Sequence, residues 1–306
     1  MTLEVGAMMA EGIAALVAGP ILAWPRLRAA SGAERLIILG PVFEASALAT
    51  FSAEHFTAAR DLAPLVPHWL PWPLFWVYFF GVCLAATAIS FVIGRSVRTS
   101  AALLVLFFLL VVITIDLPNV HRLFHSRFFW ILTFRETAFA SGALVLSGSL
   151  WPRGHVAHQA LTRIGRTVLG AILVFYAIEH FFYPHFVTGV PLQKPTPAWI
   201  PAPVLWAYIV GIALLLGGIG LLFGRTVRMA SAGTGLVLLL LTAFFYVPIM
   251  VKEFHSPALE VEGLNFVFDT LLFAATVLLA GFAAESVADA PAPTAGLDQT
   301  AAASLP

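Results

Sequence analysis

From Leu36 onward the chain is a succession of apolar runs about twenty residues long, and that length leaves few folds open. A helix rises 1.5 Å per residue, so ~20 residues cross the ~30 Å hydrocarbon core of a bilayer. Within that core every backbone amide and carbonyl must bond inside the protein, which admits only helices and closed barrels. The runs lack the alternation of barrel strands, so the reading is all-α and polytopic. Helices are predicted near 36–55, 73–94, 99–117, 129–149, 166–184, 203–224, 229–249 and 264–284, eight transmembrane crossings separated by turn-rich segments such as Pro67–Pro73 and Pro191–Pro203. Composition agrees: 10% of residues are charged, against about 25% in a soluble domain.

The ends read differently. Residues 1–32 hold a shorter apolar run, 7–24, interrupted by Glu11 and Pro20 and closed by Trp24-Pro25-Arg26. It is expected to lie in the membrane interface rather than add a ninth crossing. No cation precedes it, so a signal peptide is not expected. Residues 285–306, rich in Pro, Ala and Thr, are expected to be disordered. Arg26, Arg28, Arg35, Arg95, Arg98, Arg153, Arg163, Arg166, Arg225 and Arg228 fall on one side of the predicted helices, ten cations. Arg60, Arg122, Arg127, Lys194 and Lys252 fall on the other, five, with Arg135 inside a span. Cytoplasmic loops carry the excess of Lys and Arg. The expectation is a multi-pass protein of a bacterial inner membrane with its C-terminus in the cytoplasm. Net charge is zero, and no nucleic-acid-binding module is present. The single cysteine, Cys83, excludes an internal disulfide or dithiol couple.

The halves resemble each other. Glu54-His55-Phe56 recurs 125 residues later as Glu179-His180-Phe181. From there the spacing is 130: Trp76-Val77-Tyr78 with Trp206-Ala207-Tyr208, Gly81 with Gly211, Gly94-Arg95 with Gly224-Arg225, Pro118 with Pro248, and Phe124-His125-Ser126 with Phe254-His255-Ser256. Glu136-Thr137 matches Asp269-Thr270 at 133. The spacings predict two four-helix units, 33–150 and 163–284. An even number of helices in each makes them parallel repeats about an axis along the membrane normal, a four-helix bundle doubled.

At these landmarks the chain resembles the DoxX-like family of bacterial integral membrane proteins. Glu179-His180-Phe181, Val190-Pro191-Leu192, Thr196-Pro197-Ala198-Trp199-Ile200-Pro201, Trp206-Ala207-Tyr208 and Gly224-Arg225 with Val227-Arg228 carry the resemblance. It covers 163–284 best. In 33–150 the loop after the first helix is five residues shorter. The resemblance implies the four-helix fold and a link to thiosulfate:quinone oxidation, and it carries no catalytic residues over.

An ionisable side chain in hydrocarbon costs roughly 2.5–3.5 kcal/mol on insertion scales, so each needs a partner or a purpose. The candidate polar cluster is Glu54, His55, His125 and Glu136 in the first unit, with Glu179, His180, His255 and Asp269 in the second. In each unit, the Glu-His pair ending the first helix is expected to meet a histidine and a carboxylate of the fourth, near the outer face. Three readings stay open. The groups cap helices and tie the bundle together. Or they exchange protons with a quinone or other small molecule walled by Trp69 or Trp199. Or His55, His125, His180 or His255 joins nearby carboxylates to ligate metal or haem. Glu44, Asp116 and Arg135 occur only in the first unit, which predicts a buried ion pair of Arg135 with Glu44 or Asp116. No phosphate loop or nucleophile elbow is visible. The functions this leaves are a component of a redox or quinone-linked system, a non-catalytic membrane scaffold or stress-associated factor, and a small-solute transporter. The bilayer is the one partner required; a redox partner protein belongs to the first of these.

Overall fold

A computed structural model describes residues 2–189 and 194–284. Two expectations, the Val190-Pro191-Leu192 motif and the disordered tail 285–306, lie outside the described residues. Among the described residues nine helices are long and apolar enough to cross a membrane: α1 (Leu3–Ala29), α2 (Ala33–Thr57), α3 (Pro73–Ile93), α4 (Val97–Leu123), α5 (Arg127–Ser149), α6 (Val156–Phe182), α7 (Pro203–Leu222), α8 (Gly224–Glu253) and α9 (Glu260–Ala283). Among the described residues there is no strand, only one isolated bridge between Phe186 and Pro195. This is a multi-pass all-α membrane protein.

Helix α1 differs from the interfacial segment expected of residues 1–32. It is a 27-residue helix with Pro20 and Pro25 inside it, not a short surface segment. It packs lengthwise and antiparallel on α2: Gly12 lies against Thr50, and Gly19 against Val42. Ser46 also donates to the Gly12 carbonyl across the pair, at 2.7 Å. Its start is tied to α9, where the Thr2 amide donates to Glu260. Leu3–Ala29 therefore runs the depth of the bundle, which a segment lying flat in the interface would not do.

Local signals repeat in both halves. Pro73 and Pro203 open α3 and α7, where a missing amide hydrogen costs nothing. Each is preceded by a left-handed residue, Trp72 (φ 55°) or Ala202 (φ 49°). Both α4 and α8 contain a π-helical turn, at 112–116 and 242–246, again 130 apart. Wide turns of this kind occur often beside functional sites.

The halves also meet differently from the two closed four-helix units expected. Each half was expected to close on itself, with its first helix against its fourth. Instead α2 packs on α9 and α5 packs on α6, so these helices meet across the halves, while α5 also touches α9. The outer helices follow in order, α3 on α2, α4 on α5, α7 on α6 and α8 on α9. Interdigitation explains the burial of α9, where Leu264, Phe273, Ala274 and Val277 through Ala280 are fully enclosed.

Candidate functional site

The exchange of partners decides which polar groups converge. Glu54 and His55 end α2, and the helix they face is α9. Asn265 Nδ2 donates to Glu54 Oε1 at 2.9 Å. One turn further along α9, Asp269 Oδ2 accepts from Arg135 Nη1 at 2.8 Å. Arg135 belongs to α5 and also donates to Glu136 Oε1, from Nη2 at 2.9 Å and from Nε at 3.2 Å. Arg135, Glu136 and Asp269 keep 17%, 15% and 18% side-chain exposure. All three line a cavity of about 270 Å³ that Glu54, His55 and Asn265 also line. Phe51, Phe107, Phe108 and Phe139 supply its apolar wall. Counting from the start of α9, Asp269 lies nine residues in, ~13 Å along the helix axis.

His55 is positioned from below. Its Nδ1 lies 2.7 Å from the Phe51 carbonyl, so Nδ1 carries a proton and Nε2 is the ring nitrogen left for the cavity. The ring can stand there because α3 presents Gly81 to it; a Cβ at Gly81 would come within 2.9 Å of His55 Cβ. Ser52 donates to the Gly81 carbonyl and holds the two helices together at this point.

The second half uses the same parts to a different end. Gly211 meets His180 as Gly81 meets His55. His180, however, is 2% exposed. Its Nδ1 lies 2.6 Å from the Tyr176 carbonyl, and its Nε2 accepts from the Gly189 amide at 2.8 Å. Both nitrogens are taken. The five extra residues in the loop after α6 let Val187, Thr188 and Gly189 fold inward and bury. Gly189 has φ +104° and sits against Leu241, a place where only glycine fits. Tyr246 pins the loop by donating to the Thr188 carbonyl at 2.5 Å. His180→Ala is therefore expected to lower stability by about 2 kcal/mol, because the buried Gly189 amide loses its acceptor. His55→Ala is expected to cost under about 1 kcal/mol, since its one bond is local. Unfolding of both variants in detergent tests this; equal losses would contradict it.

The remaining candidates disperse. Glu179 Oε2 pairs with Arg127 Nε at 2.5 Å, and Arg127 lies over the rings of Tyr183 and Phe186. His125 and His255 are exposed on loops, His255 near the Lys252 carbonyl. Trp69 and Trp199 stand exposed and do not line the cavity; phenylalanines take the wall expected of them. Among the described residues no three His, Cys, Asp or Glu side chains are placed to hold a metal ion, so the metal reading lacks a ligand set there. The predicted ion pair of Arg135 with Glu44 or Asp116 is corrected: its bonded partners are Asp269 and Glu136. Asp116 lies within coulombic reach of Arg135 and faces Thr133, with Oδ2 left unpartnered. Glu44 is fully buried, and neither carboxylate oxygen has a hydrogen-bond partner.

Sequence reading missed Asn265 and the clamp between Arg127 and Glu179. An amide four residues before Asp269 shares its helix face, and that spacing was the available signal. It also missed Lys194, which pairs with Glu253 and Glu262 beside the Phe266 ring.

Apolar helices in this number, with a cavity lined by charged and aromatic side chains from both halves, define a multi-pass membrane protein. Residues 161–248 match the family model DoxX, a family of integral membrane proteins. No curated protein and no solved structure matches the chain.

Proposed function

We propose that the chain is a membrane component of a redox or quinone-linked system and that the cavity between α2, α5 and α9 receives the ring. One observation carries this reading. The cavity joins a wall of four phenylalanines to a polar side where Arg135 pairs with Glu136 and Asp269, while Glu54, held by Asn265, and His55 line the same space. Ligand sites are mostly apolar with a few convergent polar groups, and the apolar wall suits a flat ring. The surplus of acid over base, next to an imidazole with a free nitrogen, suits proton exchange at the ring's polar edge. A quinone supplies the electron-carrying chemistry; the side chains hold it and take or give protons. The repeated landmarks support descent from a duplicated DoxX-like unit in which the second copy has filled its own site with its loop. The arginine distribution supports placement in a bacterial inner membrane, with the cavity toward the outer face and the C-terminus cytoplasmic.

Extraction of the protein in its native lipids, followed by chromatography of the organic extract, tests the reading. Near-stoichiometric quinone is expected in the wild type, falling several-fold in Phe139→Ala and His55→Ala. Wild-type protein that carries no quinone and takes none up on titration would end the proposal. The scaffold reading has support of its own, because Arg135–Asp269 and Arg127–Glu179 both tie one half to the other. It expects those variants to change no ligand content.

A further inference from the structure

We propose that a second cavity, at the opposite end of the bundle, is a binding site for the phosphate headgroup of an anionic membrane phospholipid. It encloses about 410 Å³ where α3 ends and α4 begins. Arg26 of α1 and Arg98 of α4 line it, and no acidic residue does. Among the described residues neither arginine pairs with a carboxylate. The Arg98 guanidinium rests 4.6 Å from the centre of the Trp151 ring, which holds it at the rim. Ser96 and Thr99 add hydroxyls to the lining. The floor is apolar, with Phe91, Leu146 and Phe282.

The second half shows what closes such a space. At the spacing of 125 that relates the two Glu-His-Phe triplets, Pro41 stands where the second half has Arg166. Arg166 turns its guanidinium onto the carbonyls of Leu221 and Leu222, the last residues of α7, and so plugs the equivalent position with a cation of its own. In the first half the residue at that place is Pro41, which lines the cavity and carries no charge. The space is open, and the cations at its edge come from α1 and α4 instead. Two unpaired guanidiniums over an apolar floor suit a molecule with a phosphate at one end and hydrocarbon at the other. Basic pockets between membrane helices hold anionic headgroups for this reason. A free phosphate would use the arginines and leave the floor bare. The site is independent of the reading proposed for the first cavity.

The test uses the full chain in detergent micelles titrated with phosphatidylglycerol, phosphatidylcholine or inorganic phosphate alone, with bound lipid counted by native mass spectrometry. Phosphatidylglycerol is expected to be retained in preference to phosphatidylcholine. Arg26→Ala with Arg98→Ala is expected to weaken that binding roughly thirtyfold, the loss of two arginine contacts with an anionic headgroup. Both side chains are exposed, so this variant should fold. Pro41→Arg is expected to plug the site as Arg166 does, with the same loss. Arg225→Ala with Arg228→Ala, on the same face of the bundle, is expected to change nothing. Equal retention of the two lipids, wild-type binding by the Arg26/Arg98 variant, an equal loss in the Arg225/Arg228 control, or competition by inorganic phosphate at the lipid's own affinity would each overturn the proposal.

Discussion

Arg135→Ala is expected to lower the unfolding free energy by about 3 kcal/mol, the lower end of the range for breaking a buried ion pair. The lower end applies because Arg135, Glu136 and Asp269 keep 15–18% exposure and some hydration remains. The loss arises less from the missing attraction than from what stays behind: two carboxylates within apolar helices, neither with a cation. That cause makes a second expectation. Arg135→Met combined with Glu136→Gln and Asp269→Leu removes all three charges of the Arg135–Glu136–Asp269 bridge and should return most of the lost stability, as replacing a buried ionic group with apolar side chains often does. The bridge joins α5 to α9, one helix from each half, so the single variant should also raise proteolysis between the halves. Unfolding in mixed detergent micelles measures the first effect and limited proteolysis the second. A single variant within about 0.5 kcal/mol of wild type would show that the bridge is not what holds the halves together.

What the sequence made legible follows from which signals are local. Run length located the crossings from α2 to α9, because hydropathy is a property of the segment itself, although α6 begins ten residues before its expected start and α4 ends six residues after its expected end. Pro73, Pro203, Gly94 and Gly224 marked helix ends for the same reason, each requiring a backbone geometry that only its own position supplies. Helix α1 escaped because Glu11 and Pro20 break its run, although the helix stays continuous through Pro20 and Glu11 stands exposed at its outer side. Partners were the harder matter. Spacing gives the order of helices and not their neighbours, so the meeting of Glu54 with Asn265, rather than with a group of its own half, could not be read. The partner of Arg135 was hidden by the very comparison used to find it. Looking for acids present in one half only passes over Asp269, which has Glu136 as its counterpart. The five-residue difference between the loops was visible in the sequence. That it saturates His180 and leaves His55 free needed the fold.

Glu44→Leu is expected to stabilise the protein by about 1–3 kcal/mol, the cost of a buried polar group left without a bond. Its depth follows from two registers. Glu54 bonds Asn265, and Gly40 lies against Leu279, so α2 and α9 run antiparallel and Glu44 is level with Ala275 and Thr276. Arg135 bonds Asp269, and Gly142 lies against Thr276, so α5 and α9 run parallel and Thr276 is seven residues, roughly 10 Å, deeper than the Arg135 cluster. Thr276 Oγ1 is also buried and unpartnered. Along α2, Glu44, Leu48, Phe51 and His55 recur at helical intervals, and the last three line the cavity. Glu44 thus continues the cavity's stripe towards the middle of the membrane. At the corresponding place the second half has Leu169, fully buried, so leucine is a side chain this architecture accommodates. An unpartnered buried carboxyl where the other half has leucine suits a chemical role held at the expense of stability. Glu44→Leu should therefore raise the unfolding midpoint while removing any pH dependence of ligand uptake by the cavity, and Glu44→Gln should remove the pH dependence with little change in stability. Destabilisation by Glu44→Leu would mean that the carboxyl has a partner holding the helices together, and its role would then be structural.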